Sequence, residues 1–352
     1  MDDSLKIETE KLVRSWMQHE PDHLAAYLVS GVEDPRINLQ SILTRHFLIR
    51  ELFPEHFEKL MEEECRFGAT LNILYTLGSS LGEPEVKASV LHALQQGSDN
   101  AEGIPIAQFL GGSFRSLPVI NDSLSVPNYL EELLTTSASE ATGQIDGRIL
   151  NCFQELWRAQ LRPLSQDRRN RPSVLEPACG SANEYRFLNS YEIARFLDYT
   201  GFDLCEKNVA NARRVFPEIK FECGNVFEIS AADQSFDLCF LHDLLEHLSV
   251  EGLERAVGEL CRVTRRALCI GFFQMHEGPE HIVRQVEEYH WNTLSMNRVR
   301  DLFRRQGFQS QVIHIGTFLR ESFGCDYTYN PDAYTLILTR VGIASQTAQQ
   351  TI

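Results

Sequence analysis

Val174-Leu175-Glu176-Pro177-Ala178-Cys179-Gly180-Ser181-Ala182-Asn183 runs from a short apolar stretch into an acid, a turn of small residues and the start of a helical pattern. A strand–turn–helix joint of this kind presents backbone N–H groups and a helix N-terminus to a ligand. Small-residue turns after strands are common, so the joint gains its weight from residues further along the chain. Gly201-Phe202-Asp203, Gly224-Asn225-Val226 and Phe236-Asp237 come at the spacing of successive strand ends.

From Ser173 onward short apolar runs alternate with helical patterns. Strands are expected at Val174–Pro177, Tyr199–Asp203, Lys220–Cys223, Phe236–Leu241 and Ala267–Phe273, with helices near Glu184–Asn189, Lys207–Val215 and Val250–Val263. Apolar strands separated by helices argue for a parallel sheet covered on both faces. The ending breaks the rhythm: a helix over Met296–Gln306 is stopped by Gly307, then Gln311–Ile315 and Tyr334–Thr339 read as strands with no helix between them. Two strands joined in that way pair antiparallel at one sheet edge. The expected fold class is α/β: a Rossmann-like, mostly parallel seven-stranded sheet with an antiparallel edge hairpin, preceded by an all-α domain.

The all-α reading rests on Leu5–His19, Leu24–Val29, Leu39–Phe53, His56–Leu77 and Val86–Leu94, which carry apolar residues at three- and four-residue spacing. Pro21, Pro35, Pro54 and Pro84 punctuate these segments. Gly97–Pro127 is Gly-, Ser-, Asn- and Pro-rich, and a run of that length is read as a functional loop or a linker. Thr135–Gly143 is the best boundary, and Arg148–Leu161 reads as a helix that docks on the following domain. The expected domains are residues 1–142, helical; 143–341, the α/β domain; and 342–352, a disordered polar tail.

The chain has 352 residues, 43% hydrophobic and 23% charged, with a net charge of −16. That length allows two cores, and that charge opposes attraction to phosphate backbones, so nucleic acid is not an expected partner. Arg162, Arg168, Arg169 and Arg171 read as a solvated face. No apolar run reaches membrane-spanning length, and Met1-Asp2-Asp3-Ser4-Leu5-Lys6 lacks the order of a secretory signal, so a cytoplasmic protein without a membrane partner is expected. Nine cysteines, none in a C-x-x-C pair, read as small buried hydrophobes in a reducing compartment.

Ligands of open α/β sheets bind outside the carboxyl ends of the strands. Glu176, Asp203, Asn225 and His242-Asp243 all stand at such ends. Any one of them alone would read as a helix cap, but four in register point to a nucleoside-containing cofactor. Asp203 is the residue suited to a ribose, since one carboxylate accepts from two adjacent hydroxyls.

Over about Arg148–Arg340 the sequence resembles the class I S-adenosylmethionine-dependent methyltransferases. Their acid-x-Gly-x-Gly-x-Gly motif is matched by Glu176 to Ala182 with Gly180 kept, while Ala178 and Ala182 stand where glycines are usual. The resemblance implies S-adenosylmethionine as cofactor, held by Glu176, Ala178, Gly180, Ala182, Asp203, Leu204, Asn208, Asn225, Val226 and Leu241. It implies that Asn225 faces the adenine amino group and that Val226 lies beside the ring. Phe236–Leu241 followed by Leu245-Glu246-His247-Leu248 is similar to the family's fourth strand and its following turn. Each alanine adds a methyl group where the backbone favours glycine.

Methyl transfer from a sulfonium is an in-line displacement, so the protein positions the acceptor and, for an alcohol or phenol, removes its proton. His242, directly after the fourth strand, is the first candidate for that base, beside the equal alternative of a capping or cofactor-facing residue. It resembles the His-Asp pair of small-molecule O-methyltransferases, with Leu244 where tryptophan is usual. Acceptor-side candidates are His247, His276, His281, Tyr289 and Trp291; for His247 a structural role is favoured, and for the Tyr289–Asn292 run an aromatic anchor is as good a reading. His276 and His281 are five apart across Gly278-Pro279, unlike H-E-x-x-H, so no metal is expected. The helical domain is read as a lid, a homodimer surface or a partner-binding module. Three functions stay open: methylation of a small molecule, most readily at oxygen; a cofactor-binding but catalytically silent interaction protein; and a protein methyltransferase.

Overall fold

Continuous burial along the central strands, on both faces, decides the sheet. In the computed structural model, β1 (Ser173–Pro177), β2 (Asp198–Asp203), β3 (Lys220–Cys223), β4 (Phe236–His242), β5 (Thr264–Phe272), β6 (Phe308–His314) and β7 (Tyr334–Arg340) form one sheet. Its spatial order is β6-β7-β5-β4-β1-β2-β3. β3, β2, β1, β4 and β5 are mutually parallel. β7 pairs antiparallel with both β5 and β6, which places the expected hairpin at the edge. The order in which successive strands are laid down reverses between the parallel neighbours β1 and β4, and it is outside such a switch point that α/β sheets hold ligands.

The structure describes residues 39–61, 100–101, 104–105, 157–158, 160–165, 170–286, 289–318 and 332–342. The helices expected at 5–19, 24–29 and 86–94, most of those at 56–77 and 148–161, the boundary at 135–143 and the tail after 342 lie outside them. Two compact units divide the chain: residues up to 54 with 164–315 and 330 onward, and residues 55–163 with 316–329. In the second unit, residues 55–61 are helical, and Asn100–Ala101 pairs antiparallel with Ile104–Pro105, where the sequence pattern predicts no strand.

In the first unit, α1 (Leu39–Leu52), α2 (Asn183–Ser190), α3 (Glu206–Val215), α4 (Val250–Val263) and α5 (Met296–Arg305) fall within a residue or two of the sequence reading. α4 begins where Ser249 accepts from the Gly252 N–H at 3.0 Å, which satisfies an otherwise orphaned helix donor. Leu253, Val257 and Leu260 of α4 and Val299 and Phe303 of α5 pack on Leu175, Leu241, Leu268 and Ile270 of the sheet. β5 starts at Thr264, three residues before the expected Ala267, because a register shift between Phe236 and Leu238 lets β4 pair with it earlier.

The opposite face receives α1. Thr44 reaches both Cys269 of β5 and His242 of β4, and Phe53 meets Phe196 edge to face at 4.8 Å. Arg45 is buried, with its guanidinium 4.2 Å from the centre of the Tyr191 ring. Ser41 donates to Glu184 at the start of α2, and Glu51 pairs with Arg266, so α1 is tied at both ends.

Candidate functional site

The turn after β1 is tight because three of its residues are left-handed: Ala178 at φ 53°, Gly180 at φ 54° and Ala182 at φ 67°. For alanine this conformation costs about 1–2 kcal/mol per residue, because Cβ crowds the following carbonyl. Three hydrogen bonds hold it: Cys179 N–H to the Phe202 carbonyl at 3.0 Å, Gly180 N–H to Asp203 Oδ2 at 2.9 Å, and Ala182 N–H to the Cys179 carbonyl at 3.0 Å. A Cβ at Gly180 would meet only Asn183 Nδ2, at 3.9 Å, so the space above the turn is open.

Asp203 ends β2 and is 2% exposed. Besides the Gly180 amide, its carboxylate accepts from the Cys205 N–H at 2.8 Å and from Asn208 Nδ2 at 3.2 Å. Burial pushes its pKa up, against the opposing pull of these donors. Asn208 also meets the Ser181 hydroxyl at 3.4 Å, so it couples α3 to the turn. Glu176 ends β1 at 4% exposure and accepts from the Tyr199 hydroxyl. Gly201 makes that bond fit: a Cβ there would stand 2.8 Å from Tyr199 Oη and 3.0 Å from Cys179 Sγ.

A narrow apolar crevice opens beside the turn, lined by Ala178, Phe202, Leu204, Asn225, Val226 and Leu244 among others. Asn225 Oδ1 accepts from the Phe227 N–H at 2.9 Å, which fixes its side chain at the end of β3. Of the residues expected around the cofactor, Ala178, Leu204, Asn225 and Val226 line this crevice, whereas Leu241 lies in the core against α4. Phe202, Leu244 and Leu248 also line it, and sequence reasoning did not single them out. The available signal was the Leu244-Leu245-x-x-Leu248 spacing directly after a strand end.

His242 ends β4 with Nε2 3.0 Å from Thr44 Oγ1, while Nδ1 is buried without a hydrogen-bond partner among the described residues. Sequence reasoning had no means of finding Thr44, since nothing in Leu39–Leu52 points to chemistry.

On the far side of β4 and β5, residues 282–286 and 289–293 pair as a small hairpin, with Ile282 opposite Thr293 and Val286 opposite Tyr289. It sets Tyr289 and Trp291 against His247, with ring centres 5.8 and 5.2 Å apart, and Trp291 against Phe273 at 5.6 Å. The hairpin is anchored by buried Asn292, whose Nδ2 donates to the Leu248 carbonyl at 2.7 Å. His247 Nδ1 is bonded to the His290 carbonyl. His276 and His281 are occupied locally: their Nδ1 atoms accept from the amides of Gly278 and Ser295, each at 3.0 Å. Burial and the nearby Arg298 lower the His281 pKa, which agrees with a neutral ring acting as acceptor.

Sequence reasoning missed Glu246. It is buried in the turn after β4, with one oxygen accepting from the Phe273 N–H and the other without a partner among the described residues, and burial followed by the Asp243 carboxylate push its pKa up to about 8.

An apolar slot bordered by an asparagine suits a purine ring, and the open turn with its acids suits a ribose and an ammonium group, so the residues present fit an adenosyl amino acid. Residues 175–267 match the profile of a family described as a methyltransferase domain. No curated protein matches the chain. Among solved structures, a S-adenosylmethionine-dependent methyltransferase from Methanosarcina mazei is 14% identical, spanning 50% of this chain and 94% of its own at a TM-score of 0.38. The YcgJ protein of Bacillus subtilis is 16% identical, spanning 48% and 91% at 0.35. A Burkholderia thailandensis 1,6-didemethyltoxoflavin-N1-methyltransferase is 14% identical, spanning 53% and 75% at 0.36. The methyltransferase-domain profile over residues 175–267, the central strands of the β6-β7-β5-β4-β1-β2-β3 order and the strand-end residues all fall in the same part of the chain.

Proposed function

We propose that the domain methylates an oxygen of a small molecule, with the cofactor lying across the carboxyl ends of β1, β2 and β3. In this reading Gly180 and Glu176 face the methionine part, Asp203 the ribose, and Leu204, Asn225 and Val226 the adenine. The bound cofactor supplies an electrophilic methyl group; the chain's own work is to orient the acceptor and remove its proton. His242 is the base. The observation that carries this is its position at the end of β4, where a hydrogen bond to Thr44 holds the imidazole in place at the carboxyl edge of the sheet. The rings of His247, Tyr289 and Trp291 then form the acceptor wall.

The test is calorimetric titration with S-adenosylmethionine, followed by the same titration of His242→Ala. Cofactor affinity within about twofold of the parent supports a role in proton removal. Loss of cofactor binding would instead assign His242 to positioning, and no binding by the parent at millimolar cofactor would sink the reading.

The left-handed alanines favour a second reading, in which the cofactor is bound weakly and the protein acts by recruiting a partner. Asp203→Ala would then abolish cofactor binding and leave the partner complex intact.

The six described cysteines are free thiols, which supports a cytoplasmic setting. No helix among the described residues is long and apolar enough to cross a membrane. In the same reading the N-terminal residues beyond α1 serve as lid or homodimer surface, which light scattering of the purified protein would check.

A further inference from the structure

Glu176 stands among groups that are acidic or can become so. Glu184 of α2 and Asp203 of β2 act on it electrostatically, Tyr199 of β2 is hydrogen-bonded to it, and burial, with its ionised form adding to the effect, holds the Cys179 and Cys239 thiols protonated. No Lys or Arg among the described residues forms an ion pair with Glu176, Glu184 or Asp203. The two buried carboxyls are not equivalent. Asp203 accepts from two backbone amides and a side-chain amide, all of which favour its ionised form. Glu176 has one donor, the Tyr199 hydroxyl on Oε2, and Oε1 takes none among the described residues. Two buried carboxyls that repel each other, with no counter-cation among the described residues, do not both ionise at moderate cost, and the one with fewer donors keeps the proton.

We propose that Glu176 is the neutral acid in the cofactor-free protein and releases its proton to solvent when S-adenosylmethionine binds, so that cofactor binding and proton release are linked at this turn. The inference rests on the reading that the cofactor lies against Gly180 and Glu176. Burial, reinforced by Glu184 and Asp203, pushes the Glu176 carboxyl well above its ordinary range, against the opposing Tyr199 bond. The sulfonium brings the positive charge that the site lacks, and a nearby cation favours the carboxylate. S-adenosylhomocysteine, a neutral thioether with the same amino-acid and nucleoside parts, draws the proton off less. Tyr199 is thus a positioning residue: its hydroxyl holds Glu176 and stabilises the ionised form that the cofactor selects.

Calorimetric titration of the full chain near neutral pH, in buffers of differing ionisation enthalpy, counts the protons released. The expected count is about 0.5 to 1 for S-adenosylmethionine, smaller for S-adenosylhomocysteine, and near zero for Glu176→Gln with either compound. Tyr199→Phe moves the release to higher pH and lowers the count at neutral pH. A parent count indistinguishable from zero, equal counts for the two compounds, or an unchanged count in Glu176→Gln overturns the linkage while leaving the cofactor site standing. If neither compound binds, the cofactor reading falls and the linkage with it. Should Glu176→Gln fail to fold, the comparison of sulfonium with thioether on the parent decides alone.

Discussion

Thr44 and His242, 198 residues apart in sequence, share a 3.0 Å hydrogen bond across the face of the sheet that α1 covers. The bond joins the end of β4 to a helix encoded well before residues 175–267, the segment that matches the methyltransferase profile. Thr44→Val keeps the shape and removes the hydroxyl. The expected result is a loss of about 1 kcal/mol in stability and a changed ring tautomer for His242, read by nitrogen NMR of the imidazole, with Thr44→Ser restoring both. An unchanged spectrum in Thr44→Val would show that the bond does not set the state of the ring.

Ala178 and Ala182 pay for a left-handed backbone that glycine adopts freely. Replacing either by glycine relieves about 1–2 kcal/mol of strain and loses about 0.4–1 kcal/mol to the more flexible unfolded chain. Each variant should therefore melt at the same temperature or slightly higher and bind S-adenosylmethionine more tightly. Thermal denaturation and calorimetry check both. Weaker binding in the double variant would mean that the methyl groups contribute contacts to the cofactor.

Gly201→Ala pushes a methyl group to within 2.8 Å of Tyr199 Oη and 3.0 Å of both Cys179 Sγ and Phe221. All three neighbours are buried, so the clash has no easy outlet. A destabilisation of about 1–3 kcal/mol is expected, together with weaker cofactor binding as Tyr199 shifts away from Glu176. A denaturant melt within error of the parent would contradict it.

Glu246 makes stability depend on pH. In the unfolded chain it ionises above about 4.5, whereas in the folded protein burial and Asp243 keep it protonated up to about 8. Its contribution is therefore fully present below 4.5 and is lost progressively as pH rises to about 8. Denaturant unfolding across that interval should show stability falling with pH, and Glu246→Gln, which keeps an acceptor for the Phe273 amide, should flatten the slope. A parallel slope in the variant would move the effect to other acids.

β1, β2 and β4 were legible because each is a short, largely apolar run with a polar or acidic residue at or beside its end, Glu176, Asp203 and His242, a pattern suited to a sheet buried on both faces. The left-handed turn was legible through Gly180 and the small residues around it, although only the structure reveals that both alanines adopt φ values near that of Gly180. What escaped is of another kind. Thr44 lies in a helix whose composition is that of any packed helix, and its partner is known only once the chain has folded. Tyr199 and Glu246 read as ordinary members of a strand and a turn; their importance comes from burial, which no local spacing reports. The run from Gln274 to Asn292 showed its aromatic content but hid its hairpin, since Glu287-Glu288, between the two paired segments, carries no turn signature.

The placement of α1 bears on how the chain can be divided. Ser41 is fastened to Glu184, Thr44 to His242 and Glu51 to Arg266, so this helix forms a wall of the α/β layer although it is encoded before everything that marks that layer. A fragment cut to begin at residue 143 would keep every motif and lose that wall, laying bare the flank of β4 and β5 where Phe240 and Cys269 stand side by side. The gene can be trimmed at a motif boundary only by opening the fold.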